Sequence, residues 1–145
     1  MRLLPVNTVA DAACYLYALL LEREPYQNIS HKAMPTVDEH LAFVRSNPYA
    51  DWCLIEVDGD RTFIGTKRHI AGATYITRQR EIGIFIFKKF RGNGYGKVAV
   101  KEMVNRHGFG TKIFANIAPT NERSRKMFEK LGFRLIQHTL EGPSQ

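Results

Sequence analysis

Cysteine is scarce. Cys14 and Cys53 are the only two in 145 residues, they lie far apart outside any C-x-x-C pair, and no pair of histidines at metal-ligand spacing accompanies them. A structural zinc site and a disulfide framework are therefore excluded, and two thiols set among apolar residues are expected to be buried and free. Long apolar runs are missing too. The longest, Ala12 to Leu21, is far short of a membrane span, and Asp11 before it and Glu22-Arg23-Glu24 after it leave no cleavage site of a leader. A cytoplasmic protein with no membrane span is expected. There are no internal repeats and no low-complexity segments. Basic residues are dispersed in small groups at Lys67-Arg68-His69, Lys88-Lys89 and Arg123 to Lys126, with no run long enough for a nucleic-acid arm. No RNP-type aromatic strand, helix-turn-helix or zinc spacing is present either, so a nucleic-acid partner is not expected.

An apolar fraction of 44% and a charged fraction of 24% in 145 residues predict one soluble domain, residues 1–145, with a real core. A net charge of +7 and an isoelectric point near 9.6 call for an anionic partner: nucleic acid, a membrane surface or a phosphate-bearing small molecule.

Taken in order, Arg2 to Val6 predicts an edge strand, and Asn7 or Thr8 caps a helix with Val9, Ala13, Leu16 and Leu20 in one stripe. Glu22 to Pro35 has no period and reads as a polar loop. Thr36 with Glu39 three residues on is a capping box, and it opens a helix whose Leu41 and Val44 face inward until Asn47-Pro48 stops it. Trp52 to Val57 is a strand with Asp58-Gly59 as its turn, Asp60 to Arg68 is a hairpin extension or loop, and Ile70 to Thr77 is a further strand. Lys112 to Ile117 makes another strand, and Pro119-Thr120 starts a last helix with Ser124, Met127, Phe128 and Leu131 on one face. Gly132 closes that helix, and Phe133 to Leu140 is predicted as a final strand. The sum is an α+β sheet with helices on both faces.

One stretch organises the rest. Glu81 to Phe87 is a short, almost wholly apolar run that predicts a strand buried on both faces, and Val100 with Val104 and Ala99 with Met103 stand at helical spacing after it. Between them Arg91-Gly92-Asn93-Gly94-Tyr95-Gly96-Lys97 turns strand into helix. Glycines there let successive N–H groups converge at a helix N-terminus, where an anion is favoured, and Arg91 and Lys97 add full charges. A Walker A loop is excluded: Arg91 stands where its first glycine belongs and Val98 where its hydroxyl belongs. The dinucleotide fingerprint fails because Lys97 replaces its third glycine.

What fits is Arg91-x-x-Gly94-x-Gly96, which resembles the pyrophosphate loop of the GNAT superfamily of acyl-CoA N-acyltransferases. A second motif, Asn121-x-x-Ser124-x-x-Met127-Phe128-x-x-Leu131-Gly132-Phe133, resembles the family's later signature, and the element order is that of the GNAT fold. The resemblance implies a mixed, mostly antiparallel sheet that splays at the acetyl-CoA site. It implies that the backbone of Phe85 and Ile86 pairs with pantetheine, that Arg91, Gly92 and the N–H groups from Asn93 through Gly94, Tyr95 and Gly96 to Lys97 hold the pyrophosphate, and that Asn121 and Phe128 lie along the pantetheine arm. The implied reaction is acetyl transfer from acetyl-CoA to a primary amine, by direct attack in a ternary complex. Glu81 matches the position of a carboxylate base, with an ion pair to Arg78 or Arg80 as its competing role. Asn28, His31 and Tyr75 are the candidate acceptor contacts, with a solvated loop as the competing place for His31. No metal is implied.

Two departures stand out. The family's usual Tyr in the last helix is Phe128 here, which has no proton to give a departing thiolate. After Phe133 there is room for one strand where relatives have two, so the C-terminal strand is expected to be shortened or missing and a second chain, in a homodimer, to cover the edge. Asp38-Glu39-His40 resembles the start of the second helix in ribosomal-protein N-terminal and amino-sugar-nucleotide acetyltransferases. The positive charge argues against polycationic acceptors and leaves a small-molecule amine first and a protein amino terminus or lysine second. A sensor that binds acyl-CoA without turnover and a nucleic-acid-binding module are the alternatives of another class.

Overall fold

A computed structural model describes residues 1–24, 33–63 and 65–144. Among the described residues, five strands form one sheet in chain order: β1 (Arg2–Pro5), β2 (Asp51–Thr62), β3 (Gly65–Ile76), β4 (Glu81–Ile86) and β5 (Phe114–Ala115). The first four are antiparallel neighbours, and β5 runs parallel to β4. The α-helices among the described residues are α1 (Ala12–Leu21), α2 (Val37–Arg45), α3 (Tyr95–His107) and α4 (Glu122–Lys130). The expected α+β architecture is therefore present.

Both sheet faces are covered, which is why β2 reads as continuous apolar sequence rather than alternating. Cys53, Ile55 and Val57 pack with Ala99, Val100 and Met103 of α3 and Phe128 of α4 on one face. Leu54 and Ala73 pack with Ala12, Leu16 and Leu19 of α1 on the other. Residue alternation along one strand thus serves two cores.

Several expectations are corrected. The first helix starts at Ala12, because Val6–Thr8 form a separate short 3-10 turn closed by Thr8 Oγ1 donating to the Pro5 carbonyl at 2.7 Å. Val9 therefore lies before the helix. Its buried stripe is Ala12, Leu16 and Leu19, which leaves Cys14 on the exposed side, whereas Cys53 is buried as expected. Asp58-Gly59 is not a turn. The ladder continues past it to the pair Thr62 and Gly65, with Asp58 opposite Arg68 and ion-paired to it across the strands. Phe133 to Leu140 forms no strand; Leu135, Ile136 and Leu140 are 74%, 60% and 91% exposed, and the segment pairs with no strand among the described residues. The capping box at Thr36 and Glu39 is present in both directions, and α2 ends at Arg45 with Asn47 at positive φ before Pro48. Its buried residue is His40, whose Nε2 lies 3.0 Å from the Ala13 carbonyl and ties α2 to α1.

β4 is only half buried, where burial on both faces was expected. The cause is β5. It pairs with β4 only at Glu81 and Ile82, opposite Phe114 and Ala115, and the chain then leaves toward Pro119 and α4. From Gly83 onward the outer edge of β4 has no strand beside it among the described residues.

Candidate active site

The open edge has a definite polarity. The Phe87 N–H donates to the Ala71 carbonyl at 2.9 Å, and the Gly83 carbonyl accepts from Thr74 Oγ1 at 2.9 Å, so Gly83, Phe85 and Phe87 turn their backbones toward β3. Ile84 and Ile86 turn theirs to the gap. Of the two residues expected to face pantetheine, only Ile86 directs its backbone there; Phe85 contributes its ring, which stacks toward Tyr75 at 6.5 Å. The Ile86 carbonyl is held by Arg91 Nε at 3.1 Å.

Where β4 ends, Phe87 leads into a 3-10 turn over Lys88–Phe90, and then into the glycine turn. Gly92 and Gly94 have φ of 81° and 79°, a region in which only glycine is unstrained. Gly94 is the N-cap of α3, and Asn93 Nδ2 steadies the turn by donating to the Phe90 carbonyl at 3.0 Å. The first helical bond runs from the Val98 N–H to the Gly94 carbonyl. Among the described residues, the N–H groups of Gly92, Asn93, Gly94, Tyr95, Gly96 and Lys97 have no acceptor. A row of unpaired amides at the positive end of a 13-residue helix suits a diphosphate.

Two cavities meet along the gap. The larger, about 300 Å³, lies over the glycine turn and is lined by the basic Arg91, Lys97 and Arg123 and the apolar Ile84, Ile86 and Met127. The smaller, about 120 Å³, lies at the start of β4 between Tyr75, Glu81, Phe85, Asn116 and Phe128. Ile84, Asn121 and Ser124 line both. Asn121 is also the N-cap of α4, its Oδ1 accepting from the Ser124 N–H at 3.2 Å.

Glu81 faces the smaller cavity. The competing ion pair with Arg80 is not formed: Arg80, at φ 70°, sends its guanidinium to the His107 carbonyl and the Thr111 hydroxyl at the far end of α3. The Glu81 carboxylate makes no hydrogen bond or ion pair with a described residue. Tyr75 lies over Gly83, where a Cβ would fall 2.2 Å from its ring, and its other side stacks on Tyr49 at 4.1 Å. Burial, reinforced by the nearby Glu81, pushes its phenol above the usual range. Phe128 is 3% exposed and packs edge-on against Phe133, as a core ring that reaches the cavity wall. Asn28 and His31 lie outside the described residues.

Residues 1–134 match the family model described as the acetyltransferase (GNAT) domain. The chain belongs to the GNAT acetyltransferase family. A search of curated protein sequences finds no match. Solved structures share the fold. A chimeric spermidine N-acetyltransferase from Vibrio cholerae superposes with a TM-score of 0.67 at 13% identity, covering 95% of this GNAT chain and 84% of its own. A putative acetyltransferase from Salmonella typhimurium, solved with its cofactor acetyl-CoA, gives 0.61 at 15% over 91% and 77%. An N-acetyltransferase from Staphylococcus aureus Mu50 gives 0.60 at 15% over 92% and 81%. Acyl-CoA dependence is implied by the family. The ribosomal-protein and amino-sugar-nucleotide subgroup gains no support: here Glu39 serves the helix cap and His40 the contact between α1 and α2.

Sequence reasoning did not single out Ile84, Arg123 or Ser124 as site residues, although all three line the gap. Ile84 was detectable from strand parity with Ile86. Arg123 stood within the second motif, but only the position of α4 across the gap shows that it reaches the same cavity as Arg91. Among the described residues no group of three His, Cys, Asp or Glu side chains could hold a metal, and no helix is long and apolar enough to cross a membrane.

Proposed function

We propose that this GNAT protein transfers an acetyl group from acetyl-CoA to the primary amine of a small molecule. One observation carries the reading: a glycine turn with six unpaired amides follows an open strand edge, joined to it by one short 3-10 turn. The turn would hold the diphosphate with Arg91 and Lys97, while Ile84 and Ile86 would offer backbone groups and apolar side chains to pantetheine, with Asn121 beside them. Bound there, acetyl-CoA supplies a thioester as acyl donor. The chain's part is to orient the acceptor between Tyr75 and Phe85, exclude water with apolar walls, and take the ammonium proton on the unpaired Glu81 carboxylate, directly or through one water. A cavity of about 120 Å³ suits a compact amine better than a folded protein surface. Spermidine is not carried over from the structural relative, since a net charge of +7 opposes a polycation.

Melting curves with acetyl-CoA and with duplex DNA test the donor site. Acetyl-CoA at about 100 times its Kd stabilises the native state by about 2.7 kcal/mol, a rise of several degrees. A rise with DNA alone would sink the proposal. CoA release across a panel of small amines and peptides then tests the acceptor class. Two free thiols fit a reducing, cytoplasmic setting. In the same reading a second copy covers the outer edge of β5, where the unpaired segment after Phe133 would find a strand partner; a monomeric mass at high concentration counts against it.

A further inference from the structure

Phe128 occupies the position of the family's usual phenol but has no proton to give, so the departing sulfur needs another donor. Tyr75 is not free to serve: its ring is clamped between Gly83 and Tyr49. Tyr95 opens α3 and lines only the larger one. The reacting carbon must sit where the two cavities join, and the walls shared there are Ile84, Asn121 and Ser124. Ile84 is apolar, and the Asn121 amide is a weak acid whose oxygen already caps α4. Only Ser124 brings a hydroxyl to the junction. Its N–H is fixed by Asn121, which holds the residue in the first turn of α4, while its Oγ makes no hydrogen bond with a described residue.

We propose that Ser124 is the proton relay of the transfer step, an inference that rests on the acetyl-transfer reading above. Glu81 removes one proton from the incoming ammonium. When the neutral nitrogen bonds to the acetyl carbon it carries one proton too many. As the C–S bond breaks, its electron pair goes to sulfur, the Ser124 hydroxyl proton passes to that sulfur, and the nitrogen gives its surplus proton to Ser124 Oγ. Serine ends as it began, and the products are a neutral amide and a neutral thiol. A relay of this kind suits serine, which is too weak an acid to give up its proton unless it receives one in the same event.

The test compares wild type with Ser124→Ala and Ser124→Thr in the full chain, by calorimetric Kd for acetyl-CoA, by turnover on an accepted amine, and by ultraviolet titration of the thiol of bound CoA. Expected for Ser124→Ala is a Kd within about twofold of wild type and a kcat lower by about 100-fold. The thiol of bound CoA should titrate higher by roughly half a unit or more, because a hydrogen bond to the thiolate is lost. Ser124→Thr, which keeps the hydroxyl, should recover most of the lost turnover. Turnover of Ser124→Ala within about threefold of wild type overturns the relay. So does a slowed Ser124→Ala whose bound thiol titrates unchanged, since that marks a packing role. A wild type that fails to bind acetyl-CoA, or binds it and acetylates no amine, overturns the acetyl-transfer reading and the relay together.

Discussion

Arg91 Nε donates to the Ile86 carbonyl at 3.1 Å, so the guanidinium that would face a diphosphate also fixes the end of the strand that would carry pantetheine. One side chain thereby sets the distance between the two halves of the donor site. A hydrogen bond to a charged donor contributes about 1.5–3 kcal/mol, so Arg91→Ala should weaken acetyl-CoA binding about 10- to 100-fold. Arg91→Lys should recover little of it, because an ammonium lacks the fork that serves carbonyl and phosphate together. Isothermal titration reads both; equal affinity in all three proteins would mean the turn does not hold the donor.

Gly94→Ala tests the backbone of the same turn. A Cβ there meets nothing within 4 Å, so its cost is conformational alone: alanine at φ 79° loses about 1–2 kcal/mol. Urea unfolding should show that loss with an unchanged m-value, and acetyl-CoA should raise the melting temperature less than in wild type.

Gly83→Ala has the opposite character, since its backbone is ordinary β but its space is taken. The added methyl would fall 2.2 Å from the Tyr75 ring, which cannot retreat because Tyr49 lies 4.1 Å behind it. Acceptor KM should rise at least tenfold, while the Kd for acetyl-CoA stays within about twofold. Unchanged acceptor kinetics would remove Tyr75 from the acceptor site.

Glu81→Gln keeps the shape of the side chain and removes the proposed base. Turnover should fall by about 100-fold at neutral pH, and part of it should return as pH rises and the amine deprotonates by itself. A flat comparison across pH would assign proton removal to solvent.

Cys53 gives a stability prediction with a defined sign. Burial first, then the Asp51 carboxylate that accepts its S–H at 3.3 Å, push its thiol from 9.0 up to about 12. The folded protein keeps this proton after the unfolded chain has lost it, so the stabilisation is complete below pH 9 and is lost as pH rises toward 12. Above pH 10 the raised phenols of Tyr49 and Tyr75 add to the same trend, which leaves pH 9–10 as the window for Cys53. There stability should fall with a slope approaching about 1.4 kcal/mol per pH unit, and the slope should vanish in Cys53→Ala. In alkylation near pH 8, exposed Cys14 should react while Cys53 stays intact until the protein unfolds.

Local features were legible in the residues because their causes are local. The Thr36–Glu39 capping box needs only four residues, and the positive φ of Gly92 and Gly94 needs only glycine at the turn. Reading failed where an element depends on a partner. Asp58-Gly59 looks like a hairpin turn until Arg68 pairs across the strands, and the stretch after Phe133 looks like a strand although it pairs with none among the described residues. Glu81 had two roles open in the sequence; Arg80 binds the end of α3 instead, and no ion pair joins Glu81 to Arg78 or Arg80.

The sequence by itself determined a helix start with unpaired amides, an apolar strand before it and a second motif that supplies Asn121 and Ser124, since each follows from side-chain size, charge and spacing along a few residues. Only the tertiary structure decided that β5 stops after two residues and leaves an edge open. It alone placed α4 across that gap, so that Arg123 lines the same cavity as Arg91 and Ser124 lines both cavities. The physical reason is separation along the chain: residues more than 30 positions apart, such as Arg91 and Arg123, share a site only after the sheet and its two cores have fixed where each element lies.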